Sequence, residues 1–270
     1  MSFLRLEAAV VTAGTPLCVG IDPHLDRVGP DEVDLLRFGR AILAACAGRV
    51  PAVKPQFGFF EARGWQGMRA LATLCAEARA LGLQVIADAK RGDIGTTAAA
   101  YAAATLGPDA PFPADILTVS PFLGLDTLTP FVTVARAHDR AVYVLLRTSN
   151  PGSATFQDPA EDPLCDWLRT HGDVAGAVVG ATHAAAVTRL RAKRPDCAFL
   201  LPGYGTQGGT AESTRAAFRS DGQGALIVSA RAATFPDGDD SLWRTDPAAW
   251  TAARIDALKL DLRTAGIGSS

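Results

Sequence analysis

Short β-branched and apolar runs alternate along the chain with longer stretches whose apolar positions recur at helical spacing. Eight short runs stand out: "PLCVGID" (16–22), "PAVKPQF" (51–57), "LQVIADAK" (83–90), "ADILTVSP" (114–121), "AVYVLLRTS" (141–149), "GAVVGAT" (176–182), "AFLLPGYG" (198–205) and "ALIVSARA" (225–232). Between them lie Ala- and Leu-rich segments such as "GWQGMRALATLCAEARALG" and "HAAAVTRLRAKRP", which end at Gly or Pro as helix stops should. Strand and helix alternating eight times predict parallel βα units. A closed (β/α)8 TIM barrel is the economical arrangement, and an open doubly wound sheet is the alternative.

Alternate side chains of a strand share a face, so the same pattern says where charges point. In "VIADAK", Asp88 and Lys90 fall with Ile86, while Val85, Ala87 and Ala89 form the small apolar face that packs on helices. In "CVGID", Asp22 shares a face with Cys18 and Gly20; in "AVKPQ", Lys54 shares one with Ala52 and Gln56. Three neighbouring strands thus deliver Asp22, Lys54, Asp88 and Lys90 to the C-terminal end of the barrel, where TIM-barrel enzymes keep their sites. A self-satisfied ion-pair network is the competing reading, and the agreement of three strands argues against it. A lysine set among carboxylates suits proton donation or charge pairing better than Schiff-base nucleophilicity. Asp93 opens the helical pattern "DIGTTAAAYAAATL" and reads equally well as an N-cap or a functional group.

Composition narrows the function classes. The 270 residues carry a formal net charge of -2 and no long run of Lys or Arg, which argues against nucleic-acid or acidic-membrane binding. No apolar run is long enough to span a bilayer. Arg5 and Glu7 interrupt the region where a signal peptide needs an apolar core. Five scattered cysteines and four histidines, His24, His138, His171 and His183, form no metal-ligand spacing. These features predict a cytoplasmic protein with reduced buried thiols and no metal. No composition shift marks a boundary, so 1–270 reads as one barrel domain with a frayed "GIGSS" tail. "TSNPGSATFQDPAEDP" (148–163) reads as a long loop over the barrel mouth, and Ser149 within it is either a cap or a site residue.

After strands seven and eight come "PGYGTQGG" (202–209) and "SARAAT" (229–234). Glycine-rich turns at that position, helped by an arginine, are how barrels hold phosphate. Gly203, Gly205, Gly208 and Gly209 allow close backbone approach, and Arg231 offers a charged fork. His24 falls near the mouth with no assigned role.

"DAKRGDIGTT" resembles the D-x-K-x-x-D-I-x-x-T signature of the orotidine 5′-phosphate decarboxylase family. The likeness runs through "GIDPH", "VKPQ", "TSNPG", "LPGYGTQGG" and "IVSAR", and looks most like the larger bacterial (type 2) branch. It implies a homodimer of (β/α)8 barrels with shared active sites that converts orotidine 5′-phosphate to UMP and CO2 without metal or organic cofactor. Lys54, Asp88, Lys90 and the partner subunit's Asp93 would form an alternating charge array, with Asp88 beside the departing carboxylate and Lys90 protonating C6. Asp22, Lys54, the partner subunit's Asp93 and the partner subunit's Thr97 would hold the ribose, and the partner subunit's Ile94 would line the base pocket. Ser149 would recognise the base, while Gln207 and Arg231 would close on the phosphate. Alternatives are a magnesium-dependent sugar-phosphate decarboxylase or aldolase of the same superfamily, and a non-catalytic nucleotide-binding barrel.

Overall fold

The computed structural model describes residues 2–206 and 208–268. Among them, eight parallel strands close into a barrel in sequence order. They are β1 (Leu17–Ile21), β2 (Ala52–Pro55), β3 (Gln84–Arg91), β4 (Ile116–Val119), β5 (Ala141–Arg147), β6 (Ala175–Val179), β7 (Phe199–Pro202) and β8 (Ala225–Ser229). Each predicted run contains most or all of one strand, and its surplus residues lie largely in the loops at the strand's C-terminal end. β1 closes the ring on β8 through the pair Cys18 and Val228.

The alternation within each strand divides the core in two. Inward side chains, among them Cys18, Ala52, Ile86, Ile116 and Leu226, fill the barrel, while Val19, Val53, Val85, Ala87 and Leu117 pack under the helices. A helix over Ser2–Ala13 seals the N-terminal end of the barrel. Its Phe3, Leu6 and Val10 join the interior cluster, with Phe3 against Tyr143 at 5.2 Å between ring centroids. Interior volume is thereby closed at one end, so the opening lies at the strand C-termini.

Two expectations are corrected. Residues 148–163 are mostly helical: a 3-10 turn at Pro151–Ser153 leads into a helix over Ala154–Thr170 that contains Pro159 and Pro163. Both prolines are exposed, while Leu164, Cys165 and Leu168 are buried. Apolar burial, reinforced by Glu161 bridging Arg189 and Lys193, outweighs the helix-breaking cost of the prolines. The predicted frayed tail is also partly packed, because Ile267 is buried and its N–H donates to Leu262 O at 2.9 Å. Ser269 and Ser270 lie outside the described residues.

Candidate active site

A cavity of about 330 Å³ opens at the C-terminal ends of the strands, within the size range of small-molecule sites. Val178, Leu200 and Val228 help form its apolar lining, and Asp22, Lys54, Asp88 and Lys90 add charge. Asp88 is the hub. Its Oδ2 accepts from Lys54 Nζ at 2.5 Å and from Gln56 Nε2 at 3.0 Å. Its Oδ1 accepts from Lys90 Nζ at 2.5 Å and from the Thr118 hydroxyl at 3.2 Å.

This order differs from the sequence picture of a lysine among carboxylates: within one chain, the carboxylate sits between two ammonium groups. Lys54 and Asp88 are buried, whereas the Lys90 side chain keeps 45% of its exposure. Burial alone would raise the Asp88 carboxyl, but Lys54 and Lys90 hold it well below the usual carboxylate range. Burial would likewise lower Lys54, yet Asp88 and Asp22 push it above the ordinary lysine value. Asp22 goes the other way, raised chiefly by burial despite the pull of Lys54. Among the described residues, Asp22 Oδ1 has no hydrogen-bond partner. The Cys18 thiol nearby is pushed up to about 12 by burial, so it is no thiolate at neutral pH.

A bulge shapes Lys90. The β3–β4 ladder runs Ile86 with Ile116 and Ala87 with Leu117, then jumps to Arg91 with Val119. β3 therefore spends four steps where β4 spends two, and Lys90 sits in the left-handed region at φ 48°. Arg91, of opposite parity to Lys90, pairs with Glu61 and lies over the rings of Phe57 and Tyr101.

Ser149 lines the cavity beside the end of β6, where a Cβ on Gly180 would come within 3.1 Å of Ser149 Cα. Gln157, on the helix that replaces the expected loop, fixes the adjoining Thr148 by accepting from its N–H and donating to its hydroxyl, both at 2.8 Å. Arg231 reaches the rim with Gly203 and Thr206. The glycine turn itself is closed: the Gly205, Gly208 and Gly209 N–H groups donate within it to Gly209 O, Gly205 O and Gly203 O. In this conformation those amides shape the turn and are not aimed at a ligand, contrary to the expectation from sequence. Gln207 lies outside the described residues.

Asp93, Ile94 and Thr97 do not line this cavity. The following helix, Gly95–Leu106, is capped at Ile94 rather than Asp93, whose carboxylate accepts from the Ile94 N–H at 2.8 Å. Ile94 is 64% exposed. His24 lines the cavity between Phe59 and Phe235, with centroids 4.6 and 5.6 Å away. Gln56 and Thr118 were not singled out as site residues, although parity puts them on the inward faces of their segments.

Fold and cavity together define a (β/α)8-barrel enzyme with a charged site at the strand C-termini. The chain belongs to the orotidine 5′-phosphate decarboxylase / HUMPS family, whose model matches residues 15–236. It is similar to the orotidine 5′-phosphate decarboxylase of Deinococcus radiodurans, with 44% identity over 242 residues covering 84% of this chain and 86% of the relative. That of Rhodopirellula baltica is 38% identical over 296 residues, covering 94% and 98%. The structure of Leishmania donovani OMP decarboxylase is similar with a TM-score of 0.78 and 31% identity, over 98% of this chain and 99% of that one.

Proposed function

We propose that this chain decarboxylates orotidine 5′-phosphate to UMP and CO2, with Lys90 protonating C6. The observation that carries the reading is the Lys54–Asp88–Lys90 array in the cavity at the strand C-termini. When the C6–carboxylate bond breaks, CO2 leaves and the electron pair stays on C6 in the ring plane. An ammonium group already fixed there stabilises the developing charge without reorganising. Lys90 then transfers its proton to C6 and is reprotonated from water. Asp88 lies beside the departing carboxylate; Asp22 and Lys54 hold the ribose, Ser149 the base, and Arg231 with Gln207 the phosphate.

Asp93, Ile94 and Thr97 serve the site of a second copy in a homodimer. Their position outside the cavity of their own chain supports this. So does apolar surface beside the end of β3: the Ser120 N–H donates to Arg91 O at 2.7 Å, and two residues on, exposed Phe122 meets exposed Phe156 edge to face at 5.5 Å. The whole chain acts as one barrel domain, with neither metal nor organic cofactor. Five free buried cysteines support a reducing, cytoplasmic setting, and among the described residues no helix is long and apolar enough to cross a membrane.

The family also contains the magnesium-using sugar-phosphate branch as an alternative. Here, both oxygens of Asp88 are engaged by ammonium groups, which leaves that carboxylate poorly suited to a divalent cation. The deciding experiment is the loss of orotidylate absorbance on adding purified protein, with and without EDTA. Turnover unaffected by EDTA is expected. Activity abolished by EDTA, with no CO2 from orotidylate, would move the chain to the other branch, and UMP binding without turnover would make it a non-catalytic barrel.

Asp22 offers a test with opposite effects on stability and binding. Its folded-state carboxyl is raised above the unfolded value, so the ionised form is disfavoured by folding at neutral pH. Stability linked to this group is full below the ordinary carboxylate range and is lost as pH rises through the raised value. Asp22→Asn is therefore expected to gain about 1 kcal/mol, or roughly 2–4 °C in Tm, at pH 7. The gain should vanish on acidification, when wild-type Asp22 is also neutral. UMP affinity should fall by about tenfold with loss of the ribose contact, by calorimetry. A Tm below wild type at pH 7 would contradict this account of Asp22.

A further inference from the structure

We infer that Thr118 is a positioning residue for the proton-transfer step, acting through both Asp88 and Lys90. The inference rests on the decarboxylase reading above. Thr118 is on β4 in parity with inward-facing Ile116, is 1% exposed, and lines the cavity. At the β3 bulge the ladder skips from the Ala87–Leu117 pair to the Arg91–Val119 pair. The Thr118 hydroxyl does the ladder's work in the gap: it accepts from the Lys90 N–H at 2.9 Å. Its single proton faces Asp88 Oδ1 at 3.2 Å, with Ala87 O farther away at 3.4 Å.

One hydroxyl thus ties down the backbone of the proton donor and a carboxylate oxygen that the donor's own ammonium touches. Lys90 needs such an anchor because its left-handed φ of 48° is unfavourable for a lysine and persists only where surroundings impose it. Without the hydroxyl, the Lys90 N–H loses its acceptor, and Asp88 Oδ1 keeps Lys90 Nζ but loses its second donor. Both groups then gain freedom at the atoms whose alignment sets the rate, while the ribose, base and phosphate contacts assigned to Asp22, Ser149 and Arg231 are untouched.

The test compares Thr118→Val, which keeps the branched shape without the hydroxyl, with Thr118→Ser, which keeps the hydroxyl without the methyl. Three readouts are needed: kcat on orotidylate, the UMP dissociation constant, and exchange of the C6 hydrogen of UMP with D2O. Exchange probes proton transfer at C6 without decarboxylation. Thr118→Val is expected to lower kcat and C6 exchange together by about 10- to 100-fold, with UMP affinity within about threefold of wild type. Thr118→Ser is expected to recover both rates to within about threefold of wild type. Wild-type rates in Thr118→Val, UMP affinity lost in step with kcat, or failure of serine to recover would each overturn the assignment. If the valine variant does not fold, Thr118→Ala against Thr118→Ser makes the same comparison, differing only by the hydroxyl. A wild-type protein inactive on orotidylate defeats the underlying function; an active wild type matched by Thr118→Val defeats this inference alone.

Discussion

Lys90→Ala is expected to lower kcat on orotidylate by about a thousandfold or more, because it removes both the proton donor and the fixed positive charge at C6. The protein should remain folded. Lys90 is the most exposed member of the Lys54–Asp88–Lys90 array, and without it Asp88 still accepts from Lys54, Gln56 and Thr118. Asp88→Ala is a poorer probe, since it strands the buried Lys54 ammonium without its bonded partner, an error that costs about 3–5 kcal/mol in buried pairs. Activity lost there would mix chemistry with stability. For Lys90→Ala, the checks are the orotidylate absorbance decay, C6–H exchange of UMP in D2O, and a thermal melt. Near-wild-type exchange in a folded Lys90→Ala protein would mean that another group delivers the proton.

The strand order was legible in the eightfold strand–helix repeat, and the inward direction of Asp22, Lys54, Asp88 and Lys90 because period-two alternation is a local property of each strand. That parity also contained Gln56 and Thr118, but both are uncharged and carry no mark as partners of Asp88. Their roles depend on distances between neighbouring strands. The bulge was illegible for a similar reason. Nothing in "ADAKRGD" says that β4 advances two residues while β3 advances four. Yet that offset sets Lys90 in its unusual backbone conformation and creates the gap that Thr118 fills.

Residues 151–163 show tertiary burial overruling local preference. "NPGSATFQDPAEDP" carries enough breakers to look like a loop, but Leu164, Cys165 and Leu168 gain more from burial in a helix than Pro159 and Pro163 lose. The glycine turn fails in the opposite sense. Its residues are conformationally permissive, but permissiveness does not say whether an amide will face a ligand or another carbonyl. Gly203, Gly205 and Gly208 take positive φ, and the turn satisfies three of its glycine amides internally.

Asp93 gives the second large effect, and one experiment separates its two possible locations of action. Asp93→Ala and Lys90→Ala are each expected to be nearly inactive alone, yet mixing them should restore about one quarter of wild-type activity per total subunit. In a random equal mixture half the dimers are mixed. A mixed dimer contains one site in which an intact Lys90 barrel receives the partner subunit's Asp93, whereas its other site lacks both groups. If Asp93 served its own barrel, every site in the mixture would lack one group and no activity would return. Tagging the two subunits and verifying exchange by mass spectrometry makes the absence of recovery decisive against action across the interface. The geometry favours recovery: Asp93 precedes a helix whose first turn points Ile94 and Thr97 to solvent, none of the three lines the cavity of its own chain, and Phe122 and Phe156 expose apolar surface. A second barrel docked there would bury that surface and bring the fourth charge to the Lys54–Asp88–Lys90 array.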